Sequence, residues 1–488
     1  MMTEDNIYQK LIKIFGSNYV SKDIHTLENY SQDLSFSEGY KPIYIVWGRK
    51  ANQIEAFLKF ANSNDLSVIP ISSKSPIKYH GDTIPQKDNS IILELSKMNK
   101  ILNIDKRNRV VMIEPGVTFG KLIPILKKKR LRILLPLNPR IDKSVLTTAL
   151  ERVPITIPRY HWDTSDPLLC TELVFGTGDR FRTGTAAGPG TIKQQRKKGA
   201  AQVNPMGPTQ FSPYRIVQGA QGSIAVVTWA TLKLELLPNL QKVFHLQSNN
   251  IQDLLDVQYE LLKYRLGDEI FMLNNLNLAS LVKKNTQAIV DLSSSLEKWN
   301  LIYVLSGRGK LAHDKISYQE ADINDILKNM KKYHLKKNSP INENEILTAL
   351  NQPTLHPWRS RLKGAFQDIF FVTDFENIPK FISIVEKMTQ LDLGIYIQAI
   401  NQGTSYHCEF DLFYDIKNGN LISDIKRNFI DISSKLINSG AFFNRPYILW
   451  AKETFANYSE ENIIALKKVK KIFDPNNILN PGVLCFDD

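Results

Sequence analysis

Cysteine is scarce in this chain: three among 488 residues, at Cys170, Cys408 and Cys485, far apart and odd in number. That argues against a disulfide framework and for a reducing compartment, so a cytoplasmic location is expected. No CxxC pair or Cys/His cluster suggests zinc or iron–sulfur ligation. Long apolar runs are missing too. Nothing approaches the roughly 18 consecutive apolar residues that a spanning helix needs, so no membrane span is expected. The opening MMTEDNIYQKLIKIFG carries acids and an amphipathic pattern, and no secretory leader is expected from it. Acids are outnumbered, 49 against 62 Lys and Arg, for a net charge of +13. The basic residues fall in short clusters at 127–132, 194–198 and 328–337, without the aromatic interleaving of a nucleic-acid module. Solvated basic faces are expected and no nucleic-acid partner; an acidic protein or an anionic substrate stays open.

At 43% hydrophobic the chain has material for large cores and about two or three domains. KPIYIVWG leads into an amphipathic helix from about Ala51 to Asn64 and then the strand LSVIPI. SIILEL and NRVVMIEPGVTFGKL follow as β-branched runs separated by turns. LLCTELVFGTGDRFRTG reads as a hairpin turning at Gly176-Thr177-Gly178-Asp179, and the segment to LKLELLP as a long strand entered through two glycines. From about Val243 helices (Ile251–Tyr264, Tyr318–Tyr333, Ile378–Leu391) alternate with strands (LIYVLSG, DIFFVTDF, GIYIQAI, CEFDLFYD), a separate α+β unit. The insert Thr185–Pro213 is longer than the ~12–15 residues of ordinary connections, and reads either as a roof over a pocket or as a flexible basic excursion.

The last twenty residues are the most specific. A basic helix runs into FDPNNILNPG, where Asp474-Pro475 stops the helix and Asn480-Pro481-Gly482 turns the chain again. This ending resembles that of the flavin-linked oxidases of the vanillyl-alcohol oxidase, p-cresol methylhydroxylase and D-lactate dehydrogenase superfamily. Glu114-Pro115-Gly116-Val117-Thr118 resembles the family's E-P-G-V-T turn, Gly184 the glycine closing its hairpin, and Gly219-Ala220-Gln221-Gly222-Ser223-Ile224-Ala225-Val226 its G-s-e-G-t-l-G-i segment. The resemblance implies an α+β fold: a PCMH-type FAD-binding domain at 1–238, a substrate-binding cap domain on an antiparallel sheet at 239–450, and a C-terminal return to the FAD domain at 451–488. It also implies FAD as cofactor.

A pyrophosphate site needs converging backbone N–H groups, which glycine supplies most easily. Where the family carries P-R-G-G-G-T-S-x-x-G, this chain reads PISSKSPIKYHGD. Only Gly81 survives; Ser72, Ser73 and Ser75 offer hydroxyls, Lys74 and Lys78 offer charge, and Asp82 closes the loop. Retained binding with altered geometry is expected, against the alternative of a polar loop that has lost the nucleotide. Pro115, Gly116 and Val117, then Gly219, Gly222, Ile224 and Val226, and finally Asn480 are expected near the flavin by the same resemblance. The family's glycine-rich segment on the adenosine side is replaced by DKSVLTTALER, where Ser144, Thr147 and Thr148 either bind the cofactor or cap a helix. Ala225 replaces a usual glycine, tolerable if its φ is negative. Covalent flavin attachment is not inferred; His161 and Cys170 are expected in buried structural roles.

In YHCEFDLFYD the two-residue period puts His407, Glu409 and Asp411 on one strand face. In the D-lactate dehydrogenase branch the matching places hold a His/His/Glu metal set. Here only His407 remains and Arg445 stands where the acid would be, so no metal is expected. The resemblance implies a flavin-dependent oxidoreductase, a dehydrogenase rather than an oxidase, acting on an alcohol, hydroxy acid or phenol. His407 is the expected base, Glu409 its orienting partner, and Arg445 with Tyr447 the clamp for an anionic or phenolic group. A solvent-facing polar sheet edge is the competing reading of the same strand. A flavin-carrying subunit docked to an electron-transfer or iron–sulfur protein, a flavin-free binding protein on the same fold, and a homodimer are the open alternatives.

Overall fold

The computed structural model describes residues 4–73, 78–160, 166–188, 190–198, 214–330 and 333–486. Among these residues the strands form three sheets. The first holds Val20–Ser21 (β1), Tyr44–Trp47 (β2), Ser67–Ile71 (β3) and Ser90–Glu94 (β4), with β4 parallel to both β2 and β3. Every residue of β4 is buried, as expected of a parallel strand covered on both faces. The helix Ala51–Asn62 makes the crossover between β2 and β3 and packs Ile54, Phe57, Leu58 and Ala61 inward at helical spacing.

The second sheet is antiparallel, built from Ile101–Asp105 (β5), Val110–Ile113 (β6), Leu131–Ile133 (β7), Leu168–Phe175 (β8), Arg180–Arg182 (β9) and Ala225–Leu236 (β10). The long β10 organises it, pairing with β6, β7 and β8. The β8–β9 hairpin turns at the expected glycines, and Gly178 has φ +80°. Ala225 is absent from the positive-φ residues, so its side chain costs the backbone nothing.

The chain passes from β10 to Leu240–Ser248 (β11) across three residues and enters the third sheet. This sheet continues with Ile270–Asn274 (β12), Trp299–Gly307 (β13), Ala365–Thr373 (β14), Leu393–Ile400 (β15) and Ser405–Tyr414 (β16), in the order β11-β13-β12-β15-β16-β14. The helix expected at Tyr318–Tyr333 spans Ala312–Asn329, because its apolar stripe already begins at Ala312 and Ile316. Alternation decides what each face of the third sheet does. Tyr406, Cys408, Phe410 and Leu412 of β16 enter an apolar core shared with the helices Ile251–Lys263, Ile378–Met388 and Gly419–Asn438. The intervening His407, Glu409 and Asp411 lie on the opposite face.

The tail closes the fold. The helix Glu460–Phe473 ends at Asp474, whose carboxylate accepts from the N–H groups of Ile478 and Leu479 and pairs with the buried Lys470. Lys470 also donates to the carbonyls of Ser223 and Leu479. Leu479 then bridges Val68 of β3 in parallel, so the FDPNNILNPG segment is stitched onto the first sheet.

Candidate active site

One cavity of about 310 Å³ runs from the end of β3 to the polar face of the third sheet. Its first half is made of turns. Beyond β3, the Ser72 hydroxyl bonds that of Thr147, and Ser73 Oγ accepts from the N–H of Ser144 at 3.0 Å. These bonds hold the loop against the short helix Val145–Leu150. Opposite them, Gly222 has φ +74°, and a Cβ there would sit 2.6 Å from Pro70 Cγ, so only glycine lets this turn press on β3. Gly219, with φ +70°, leaves its backbone open toward the cavity, with nothing nearer than 3.9 Å to a Cβ. Asn480 ties the walls together, donating to the carbonyls of Asp82 at 2.9 Å and Gln221 at 2.6 Å.

Of the residues expected near a cofactor, Ser72, Ser73, Asp82, Pro115, Thr147, Thr148, Gly219, Gly222 and Val226 line the cavity. Six others stand behind the wall. Ser144 caps its helix and donates to the Pro115 carbonyl at 2.5 Å, so its hydroxyl is spent on support. Gly116 lies against the Ser96 carbonyl, where a Cβ would approach to 2.4 Å. Val117 and Ile224 are buried in the apolar core of the second sheet. Gly81 turns away, its N–H donating to Asp33 Oδ2 at 2.9 Å. Asn480 acts as a strut between segments. Lys74, Ser75 and His161 lie outside the described residues, as do residues 189 and 199–213 of the long insert; its described part, 185–188 and 190–198, does not line the cavity.

The second half of the cavity is made of side chains on a sheet. His407, Glu409 and Asp411 are 2%, 5% and 0% exposed, so β16 presents a buried polar face and not a solvent-facing edge. His407 Nε2 lies 3.2 Å from Glu409 Oε2. Arg359, on the turn Trp358–Arg361, grips Glu409 and reaches Asp411 Oδ1 at 3.2 Å. Asp411 takes its other bond from Asn277 Nδ2 at 2.8 Å, an approach that requires Gly394, where a Cβ would sit 2.2 Å from Asn277 Oδ1. Across the sheet, Asp368 of β14 stands in register with Asp411 and bonds His80 Nε2 through both oxygens, each at 3.2 Å. Arg445 is 6% exposed, lies over the Phe370 ring at 4.2 Å, and makes no hydrogen bond or ion pair with a described residue. Tyr447 stacks on His80 with centroids 4.4 Å apart.

Electrostatics sorts these groups. Burial pulls the His407 imidazole below its usual value, against the opposing effect of Glu409, so it is neutral. Burial would raise Glu409, but Arg359 and His407 hold it low and ionised. Asp411 is pushed well above the carboxylate range by burial and by Glu409. The four expected residues His407, Glu409, Arg445 and Tyr447 all line this end. Sequence reasoning missed Arg359, Asp368 and His80. The one local signal was Asp368, a lone acid between Phe366 and Phe370 on an otherwise apolar strand face.

The cavity thus joins an end built of turns to an end built of buried charged side chains on a sheet. The profile of the "FAD binding domain" family matches residues 42–146, and that of "FAD linked oxidases, C-terminal domain" matches residues 450–484. The flavoprotein subunit of 4-cresol dehydrogenase (hydroxylating) from Pseudomonas putida is 27% identical over 187 residues, 38% of this chain and 35% of that protein. Glycolate oxidase subunit GlcD of Bacillus subtilis is 22% identical across 100% of this chain and 98% of that one. The structure of p-cresol methylhydroxylase with substrate bound superposes with a TM-score of 0.83 at 18% identity, covering 100% of this chain and 98% of that one. Two segments of the chain thus match FAD-linked oxidase domains, the fold is of the PCMH type, and FAD is the cofactor.

The residues present fit that group. Gly219, with φ +70°, leaves its part of the wall clear of side chains. Lys78 lines the same end, its ammonium making no ion pair to a described residue. Gln221, on the cavity wall, keeps a buried acceptor oxygen without a partner. Among the described residues no helix is long and apolar enough to cross a membrane, and no group of three or more His, Cys, Asp or Glu is placed to hold a metal.

Proposed function

We propose that the chain is an FAD-dependent dehydrogenase for an alcohol, hydroxy acid or phenol that carries an anionic oxygen. The observation that carries this reading is Arg445, a guanidinium buried at the cavity wall with no carboxylate beside it. An unpaired buried cation is costly, and an anionic ligand relieves the cost. FAD, when bound, supplies the hydride acceptor. The Glu409 carboxylate takes the Nε2–H of His407, which fixes the tautomer and leaves the Nδ1 lone pair as base. The substrate hydroxyl gives its proton to that nitrogen as the carbonyl forms. Arg359 keeps Glu409 ionised throughout. Arg445 holds the anionic group and Tyr447 donates to it from the stacked pair with His80.

The separation into an FAD-binding unit at 1–238, a cap at 239–450 and a return at 451–488 belongs to the same reading. It is supported by the sheet change between Leu236 and Leu240 and by the Val68–Leu479 bridge. The basic clusters are proposed as the docking face for a separate electron acceptor, a role that dehydrogenase chemistry requires. The test is an anaerobic screen of hydroxy acids and para-substituted phenols, followed by loss of the oxidised flavin bands. Reduction by one class, with dye reduced faster than oxygen is consumed, is the expected outcome. Bleaching by neither class sinks the substrate assignment, and oxygen uptake matching turnover sinks the dehydrogenase assignment.

A further inference from the structure

The cavity contains a second histidine–carboxylate pair that the reaction above does not use. His80 follows the β3 loop and Asp368 sits in β14, 288 residues away in sequence, yet the imidazole Nε2 meets both carboxylate oxygens. The ring is fixed on three sides. Tyr447 stacks on it within 4° of parallel, Phe370 meets it edge-on at 5.5 Å, and Asp368 holds its end. Its other nitrogen, Nδ1, bonds no described residue, and His80, Arg445 and Tyr447 line the same part of the cavity. With Nε2–H given to Asp368, Nδ1 is a second donor only when the ring is an imidazolium.

We propose that His80, gripped by Asp368, is a second binding residue for the substrate's anionic group, donating Nδ1–H to it beside the Arg445 guanidinium. The inference rests on the anion site proposed for Arg445. Counting charges shows what the pair does. Arg359 answers the Glu409 carboxylate, Asp411 being held protonated by burial and by Glu409, and His80 answers Asp368, so on this sheet face Arg445 is left as the surplus cation, with Glu151 acting on it only from across the cavity. Once His80 loses its proton, Asp368 becomes a surplus anion that opposes substrate and cancels Arg445. Anion binding is therefore strong while His80 is charged and weakens as it titrates. Burial lowers the His80 imidazole, but Asp368 more than offsets this and holds it above its ordinary 6.5. Asp82 on its own loop pushes in the same direction, Arg445 in the opposite one, and Glu151, beyond the short helix, also faces it. Tyr447, its stacking partner, is held neutral by burial.

The test uses the FAD-loaded protein and benzoate as a monoanionic probe, with binding read from the shift in flavin absorbance between about pH 6 and pH 9. Wild-type Kd should rise about tenfold through the His80 titration, the loss expected when one charge-assisted bond goes. His80→Gln should bind weakly and flatly across the range, because Asp368 is then unpaired throughout. Asp368→Asn should also be flat but tighter than His80→Gln, having no surplus anion. Wild-type pH curves in both variants overturn the proposal. Arg445→Leu separates the two ideas: if it binds benzoate like wild type, the anion site itself is misplaced. If it binds weakly while both His80 and Asp368 variants keep the wild-type curve, only the present inference falls. Should His80→Gln fail to fold, the histidine ring resonances of the wild type decide. A resonance titrating above 6.5 whose midpoint rises with benzoate supports the assignment, and the absence of any such response overturns it.

Discussion

At the proposed flavin end the cavity wall is made of turns and helix ends, held by hydroxyls and carbonyls, with Lys78, Asp82, Arg140, Lys143 and Glu151 as its charged residues. At the substrate end the wall is the face of an antiparallel sheet, crowded with Asp368, Glu409, Asp411, Arg359, Arg445 and two histidines. On the proposed reading the first end binds through backbone, where serines in place of glycines are tied down by side-chain bonds such as Ser73 to Ser144. The second end works through charge balance, where each group sets the state of the next and a single loss is felt by all. Robustness at one end and sensitivity at the other is the difference that experiment should find.

The largest effect belongs to the proposed base. His407→Ala should lower kcat by about 10²–10⁴ with flavin content unchanged, measured by steady-state turnover on an enzyme of known flavin loading. A loss of flavin instead would show that His407 belongs to the cofactor end. Next comes Arg359→Leu. It leaves the buried Glu409 without its counter-ion, held by His407 alone, and should destabilise the protein by about 3–5 kcal/mol in chemical denaturation. A change below about 1 kcal/mol would mean that the carboxylates share the burden without it.

The His80–Asp368 pair gives a pH signature of its own. Asp368 is held at about 2 against an ordinary 3.8, since His80 and Arg359 outweigh burial, which would raise it. Its contribution is therefore present above 3.8 and lost as pH falls toward 2. His80, raised in the folded state, contributes fully below 6.5 and loses that contribution as pH rises through its folded value. The pair should stabilise most strongly in the window between, by on the order of 1–2 kcal/mol. Asp368→Asn should flatten both limbs of a melting-temperature profile against pH; unchanged limbs would assign them to other groups. Smallest of all, at the flavin end, Thr147→Val should weaken FAD binding by about 1 kcal/mol, roughly fivefold, in a fluorescence titration of the apoprotein. An effect as large as that of Arg359 would erase the contrast between the two ends.

What was legible in the sequence follows the same division. The turn at Gly176–Asp179, the crossover helix from Ala51 and the docked FDPNNILNPG tail are local or end-to-end signals, and each appears where its residues place it. The two-residue period of β16 correctly put His407, Glu409 and Asp411 on one face. It did not tell whether that face met solvent, because burial depends on β14 and on the segments that cover the sheet. Gly116, Val117 and Ile224 carry the family pattern, yet support the wall from behind; a motif marks a backbone path, and only packing shows which atoms of it are exposed. Arg359, His80 and Asp368 come from three distant segments. Nothing in any one of them announces the others until the register of β14 against β16 sets Asp368 opposite Asp411.

The central claim is that Arg445, buried and without a carboxylate, waits for an anion at the far end of a flavin cavity. The direct measurement is the Kd of benzoate for the FAD-loaded wild type and Arg445→Leu, read from the flavin spectrum at a pH where His80 is charged. A charge-assisted bond of about 2–3 kcal/mol predicts weakening of roughly 30- to 150-fold, with the flavin bands of the free enzyme unaltered. Equal affinity in the two proteins would contradict the account.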